Sequence, residues 1–151
     1  MVAVQLMVFV PSLIEALDTN INSGKLNKEG YEYVAKEFLD IVNFEKAAIT
    51  LRNSISANDN DWLGMVYDGK NYFYSRTYHL YIVDRVGGGD SFRTGLIYSF
   101  LCNNKRMPQY VIEFTVAASS LKHSIEGNFN RVDVSEVEKL VGGNTSGRVQ
   151  R

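Results

Sequence analysis

Tyr78-His79-Leu80-Tyr81-Ile82-Val83-Asp84-Arg85-Val86-Gly87-Gly88-Gly89-Asp90-Ser91-Phe92 is the stretch on which the reading of the chain turns. Tyr78 to Val83 reads as a strand. Beyond the glycines, Phe92, Leu96 and Phe100 recur every four residues with Ile97 and Leu101 beside them, the spacing of a helix with one apolar face. Three glycines between strand and helix let backbone N–H groups converge with no Cβ in the way, and the positive end of the helix aligns on the same point. Together these make an anion hole of Gly87, Gly88 and Gly89. Asp90, in the first helical turn, either caps the helix or acts as a base toward something bound beside the anion. The plain alternative is a tight connection with a stabilising N-terminal carboxylate, since the turn matches neither the Walker A nor the GxGxxG pattern.

The elements around that stretch follow from period and punctuation. Trp62 to Tyr67 and Tyr72 to Thr77 form a hairpin, because Asp68 and Gly69 tolerate the positive φ of a tight reversal. Ala47 to Leu51 is a small, apolar run ending in Arg52, the pattern of a strand covered on both faces in an α/β sheet. Asn53 to Asp61, with two serines, three asparagines and two aspartates, reads as loop. Upstream, Met1 to Val10 reads as a buried strand, and Pro11 and Ser12 open a short helix from Leu13 to Leu17. Asn27 caps a longer helix whose Tyr31, Val34, Phe38 and Ile41 share the face that packs on a sheet. Asn103, Asn104 and Lys105 break the chain, and Pro108 opens a helix with Val111, Phe114, Ala118 and Leu121 as its core face. A last short helix starts at Ser135, with Glu138 three residues on as a capping box, and stops at Gly142-Gly143.

Composition narrows the class. The chain has 151 residues, 45% of them apolar, which suits one modest core and hence one domain or part of one. With 16 Lys+Arg against 17 Asp+Glu, nothing points to nucleic acid or an anionic membrane. No apolar run approaches the roughly 20 residues that span a bilayer, and no basic residue precedes the apolar start as a signal peptide requires. The single Cys102 excludes an internal disulfide and a multi-cysteine metal site, so a reducing cytoplasm is expected. His79 and His123 sit in no Ser/His/Asp or metal-pair arrangement and read as structural or surface residues. The aromatics Tyr67, Tyr72, Phe73, Tyr74 and Tyr78 read as sheet packing.

The run from Asp84 to Phe92, followed by Gly95-Leu96-Ile97, resembles the C-terminal signature of the ribokinase-like, or PfkB, carbohydrate kinases. Ala48 to Ala57, Ala117 to Gly127 and the ending Ser146 to Arg151 resemble the 2-keto-3-deoxygluconate kinase branch of that family. The likeness covers residues 25 to 151 well. It implies a three-layer αβα, Rossmann-like sheet, of which residues 1–151 would be a partial PfkB domain, the ATP-binding C-terminal part, without the N-terminal sugar-binding half and β lid.

The resemblance also implies phosphoryl transfer from ATP to a primary alcohol of a keto-deoxy sugar acid, catalysed mainly by positioning and charge neutralisation. Gly87, Gly88 and Gly89 would bind phosphate, Asp90 would take the hydroxyl proton, and Thr50 and Arg52 match the strand end that approaches the nucleotide phosphates. Mg²⁺ is implied with ATP, without a protein cage for it. Asp84 reads as a structural carboxylate, and Arg93 and Thr94 depart from the small residues usual after the aspartate. On this reading the isolated chain is a weak or inactive kinase that associates with itself through an exposed sheet edge. The alternative is a non-catalytic module that binds nucleotide or phosphate, or assembles with another chain.

Overall fold

The computed structural model describes residues 6–8, 27–42, 44–102 and 107–143. The helix read at Leu13 to Leu17, most of the strand read at Met1 to Val10, the break at Asn103 to Lys105 and the tail from Ser146 lie outside them. The elements are β1 (Leu6–Val8), α1 (Lys28–Val42), β2 (Lys46–Ser54), β3 (Asp59–Tyr67), β4 (Tyr72–Tyr74), β5 (Tyr78–Tyr81), α2 (Gly88–Leu101), α3 (Pro108–Lys122) and α4 (Val134–Val141).

β1 runs parallel to β2, and β2 pairs antiparallel with β3 from Ala47↔Tyr67 to Ser54↔Asn60. This register sorts the side chains by face. Ala47, Ile49 and Leu51 pair with Tyr67, Met65 and Leu63, and all pack with Ala35 and Leu39 of α1 in one cluster. On the opposite face Ala48, Trp62 and Val66 pack with Phe92, Leu96, Ile112 and Val116 of α2 and α3. Gly64 on this face leaves the space that Val116 and Phe92 fill, since a Cβ there would lie 2.6 Å from the valine methyl. α4 then covers α3 through Val137 against Phe114 and Ala118. The order of layers is helix, sheet, helix pair, the αβα arrangement expected.

The strand pair β2–β3 extends through much of the segment read as loop. Its polar ends are held by cross-strand side-chain bonds, Asn53 Nδ2 donating to Asp61 Oδ2 and Ser54 Oγ to Asn60 Oδ1, both at 3.1 Å. Only 55–58 form the reversal, closed by Ile55 and Ser56 amides on the Asp59 carbonyl. β4 and β5 both pair with β3, but one more residue separates Tyr74 from Tyr78 than separates Met65 from Trp62. Ser75 still faces Gly64, donating its amide to the Gly64 carbonyl at 2.9 Å while its hydroxyl accepts the Gly64 amide at 3.0 Å, so the surplus is a bulge at Arg76 and Thr77 opposite Leu63. At the hairpin tip Gly69 takes φ 88 and Asp68 Oδ1 accepts the amides of Lys70 and Asn71. Tyr67 and Tyr72 stack with centroids 4.4 Å apart, the packing role expected of the aromatics.

Three helix details differ from expectation. Asn27 does cap α1, accepting the Gly30 amide at 3.1 Å, but Ile41 is 76% exposed and Val34, Ala35 and Leu39 form the buried face. On α2, Phe92 and Leu96 are fully buried, whereas Ile97 and Leu101 face solvent. α4 is capped two residues earlier than read, by Asp133 with Glu136 completing the box.

Candidate functional site

The glycine turn does not leave the sheet directly. β5 ends at Tyr81, and 82–86 form an irregular connection tied to the C-terminal end of α3. There the amides of Val83 and Asp84 donate to the His123 carbonyl at 2.9 and 3.3 Å. Asp84 is the structural carboxylate expected: its two oxygens accept the amides of Val86 at 2.9 Å and Gly127 at 2.8 Å. Those two bonds hold its carboxyl below the usual carboxylate range, with the Lys122 charge adding to them.

The three glycines have three different roles. Gly87 is the N-cap of α2 at φ 81, and a Cβ on it would lie 2.4 Å from the Asn128 carbonyl oxygen. Gly88 packs on the His123 imidazole, where a Cβ would lie 2.6 Å from the ring, and its own amide donates to the Arg85 carbonyl at 3.3 Å. Gly89 faces open space: among the described residues, beyond its own turn of helix, a Cβ there would meet no atom within 4 Å. The anion hole read as three equivalent donors is therefore narrower. α2 has no side-chain cap, its first internal bond is Ser91 N–H to the Gly87 carbonyl at 2.8 Å, and among the described residues the Gly89 and Asp90 amides have no acceptor. These two N–H groups, at the positive end of a 14-residue helix, are the open donors.

Asp90 stands beside them with its side chain 68% exposed, accepting Arg93 Nη1 at 3.0 Å. It makes no cap hydrogen bond to the helix, although it lies in the first turn where a carboxylate is favoured. Arg93, whose effect was open in the sequence, lies on this carboxylate. Thr94 lines a cavity of about 290 Å³ that starts at Gly87 and Asp90 and runs along α2 past Tyr98 toward α4, with Asn128 and Phe129 on its far side.

Behind the turn is a small buried network that the sequence did not announce. Trp62 Nε1 donates to Ser119 Oγ at 3.1 Å, and that hydroxyl donates to the Gly88 carbonyl at 3.2 Å. The His123 ring lies 4.7 Å from the Trp62 ring, and its Nδ1 donates to the Ser119 carbonyl at 2.7 Å. Burial, first, and the neighbouring cations of Lys122, Arg85 and Arg52 push the imidazole below its ordinary value. The register puts Thr50 opposite Gly64 and Arg52 opposite Trp62, so both lie on the sheet face that carries α2 and α3. Thr50 is half-buried and Arg52 exposed. Lys122 and His123 could have been suspected, because Val111, Thr115, Ala118 and Lys122 follow the helical spacing of a buried face. His79 is the surface residue expected, 3.1 Å from Asp61.

Among the described residues no group of three or more His, Cys, Asp or Glu side chains is placed to hold a metal ion. No described helix is long and apolar enough to cross a membrane.

No protein-family model matches the chain, and no curated protein does. Solved structures do. The chain is 40% identical to a 2-dehydro-3-deoxygluconokinase from Thermotoga maritima, with a TM-score of 0.80 over 91% of this chain and 42% of that one. A PfkB family carbohydrate kinase from Listeria grayi is similar at 26% identity and TM-score 0.73, over 91% of this chain and 41% of that one. A ribokinase from Thermotoga maritima shares the fold at 17% identity and TM-score 0.62, over 91% and 42%. The chain thus spans about two fifths of the length of the solved kinases it matches, and the likeness extends well beyond the glycine turn, over 91% of this chain.

Proposed function

We propose that this chain, whose fold is ribokinase-like and whose solved neighbours are PfkB carbohydrate kinases, forms the ATP-binding, phosphoryl-transferring portion of a kinase acting on 2-keto-3-deoxygluconate or a similar sugar acid. The observation that carries the reading is Gly89. Gly87 and Gly88 are explained by backbone conformation and by packing, but nothing among the described residues requires Gly89 to lack a side chain. A phosphate approaching the free Gly89 and Asp90 amides does require it.

In the proposed step the two amides and the positive end of α2 take up charge on the transferred phosphoryl group. The sugar hydroxyl oxygen attacks the terminal phosphorus of ATP, its proton passes to an Asp90 carboxylate oxygen, and the bond to the bridging oxygen breaks to release ADP. The exposed Arg93 ion pair is weak enough to open for this, since such pairs are worth about 0–1 kcal/mol. Arg52, exposed on the α2/α3 face, supplies a cation for the nucleotide phosphates, with Thr50 beside it on β2. Mg²⁺ bound to the nucleotide would supply further neutralisation of the phosphate charge, Asp90 being the carboxylate nearest the open amides.

The second reading, a phosphate-binding module without turnover, draws on the Asp90 to Arg93 pair, which occupies the proposed base. Calorimetry with MgATP and a coupled assay on keto-deoxy sugar acids separate the two. The kinase reading expects Asp90→Ala to keep ATP binding and lose at least about 10²-fold in turnover. Binding with no turnover in the wild type supports the module. No binding at all defeats both.

A further inference from the structure

Lysine is almost never fully buried, because its ammonium gives up its water to enter the interior. Lys122, the last residue of α3, is nevertheless 0% exposed. Its Nζ donates to the Ile125 carbonyl at 2.9 Å, and its Cε would lie 3.1 Å from a Cβ on Gly87. The stem therefore runs directly against the left-handed residue that caps α2. Its charge is felt on two sides, by Asp84 and by His123. Asp84 in turn holds the amides of Val86 and Gly127. The segment entering the glycine turn, the turn itself and the loop leaving α3 are gathered around one buried cation, and no step proposed above uses it.

We infer that Lys122 is a positioning residue: its buried ammonium is a fixed internal cation that braces Gly87 and keeps the amide end of α2 electropositive toward a bound phosphate. Resting in this last respect on the kinase reading above, Lys122 acts through the turn without touching substrate. An interior charge escapes the salt screening that weakens surface cations. At an effective dielectric constant of about 20, a unit charge this close to the turn changes the affinity for an anion by on the order of tenfold or more. Lys122→Met keeps an unbranched apolar stem and removes the ammonium with its bond to the Ile125 carbonyl, so charge and packing can be separated experimentally.

In the full-length protein, MgATP and inorganic pyrophosphate are titrated into the wild type and Lys122→Met. The expected result is a folded variant, by circular dichroism, that binds both probes at least about tenfold more weakly. Equal affinity in a folded variant overturns the inference. If Lys122→Met does not fold, Lys122→Ala is assayed with propylammonium or propanol added. Recovery of binding with the ammonium alone supports the internal cation, and recovery with both or with neither overturns it. A wild type that binds neither probe defeats the kinase reading instead. Hydrogen exchange of the amides in 84–90 then decides for Lys122: exchange at least about tenfold faster in the variant supports the bracing, and unchanged protection removes it.

Discussion

Gly87, Gly88 and Gly89 are identical letters in the sequence, and their difference lies entirely in what the rest of the fold brings to them. Gly87 needs a positive φ, Gly88 needs contact with a ring 35 residues away in the chain, and Gly89 needs neither. Gly87→Ala meets both a strained backbone and a carbonyl oxygen 2.4 Å from its new methyl, so a loss of about 2 kcal/mol or more is expected in denaturant titration. Gly89→Ala places a methyl in open space inside the first helical turn, where alanine is favoured by about 0.5–1 kcal/mol. It should leave stability unchanged or raised while weakening MgATP binding at least about tenfold in calorimetry, because the methyl stands where phosphate would approach. A Gly89→Ala protein that binds as the wild type does removes the observation on which the functional reading stands. Asp90 was legible as a titratable group at this turn, but its Arg93 partner three residues on was legible only as a departure from pattern.

The two N-terminal helix ends at this side of the molecule are treated in opposite ways. α4 closes its free amides with Asp133, which accepts the Glu136 amide at 3.0 Å while Glu136 returns a bond to the Asp133 amide at 3.0 Å. α2 leaves its amides open. The spacing of Ser135 and Glu138 reads as the box in one dimension, whereas the folded chain forms it at Asp133 with Glu136. The fold chooses through use: Ser135 donates its hydroxyl to Asp133 Oδ1, and Glu138 is engaged by Tyr110 Oη. Asp133→Ala should therefore lower the midpoint of thermal or denaturant unfolding, and Ser135→Ala should lower it by clearly less. Equal costs would put the cap back at Ser135. The β2–β3 hairpin carries the same lesson in reverse. Its polar ends look like loop in one dimension because the partners that satisfy Asn53 and Ser54 lie across the strand pair.

Across the whole molecule, the apolar periods of the strands and helices made the layer order and the strand–turn–helix sequence legible. The buried polar centre was not, because it depends on contacts distant in the chain. Trp62 from the sheet, Ser119 and His123 from α3 and its end, and Gly88 from α2 meet there, so the imidazole reports on the packing of all three. Its consequence is a stability that depends on pH with a definite sign. Burial, and then the Lys122, Arg85 and Arg52 cations, lower the folded His123 below its ordinary 6.5. The unfolded chain therefore takes up this proton first as pH falls through about 6.5, and folding stability declines from there toward the folded value. Above that window the group contributes no pH dependence. Asp84, Asp133 and Asp61, all held below the usual carboxylate range, add their own loss only as pH falls through about 4 and below, so the two regions separate. The melting temperature should accordingly fall between pH 7.5 and 5.5 in the wild type. His123→Gln, which retains a donor for the Ser119 carbonyl, should flatten that decline. Trp62 is the sole tryptophan and lies 4.7 Å from the ring, and a protonated imidazole quenches indole emission, so fluorescence reads the same titration directly. A quenching midpoint at or above pH 6.5, or an equal decline in the glutamine variant, would mean that the imidazole is solvated and that the sheet and the two helices do not close around it.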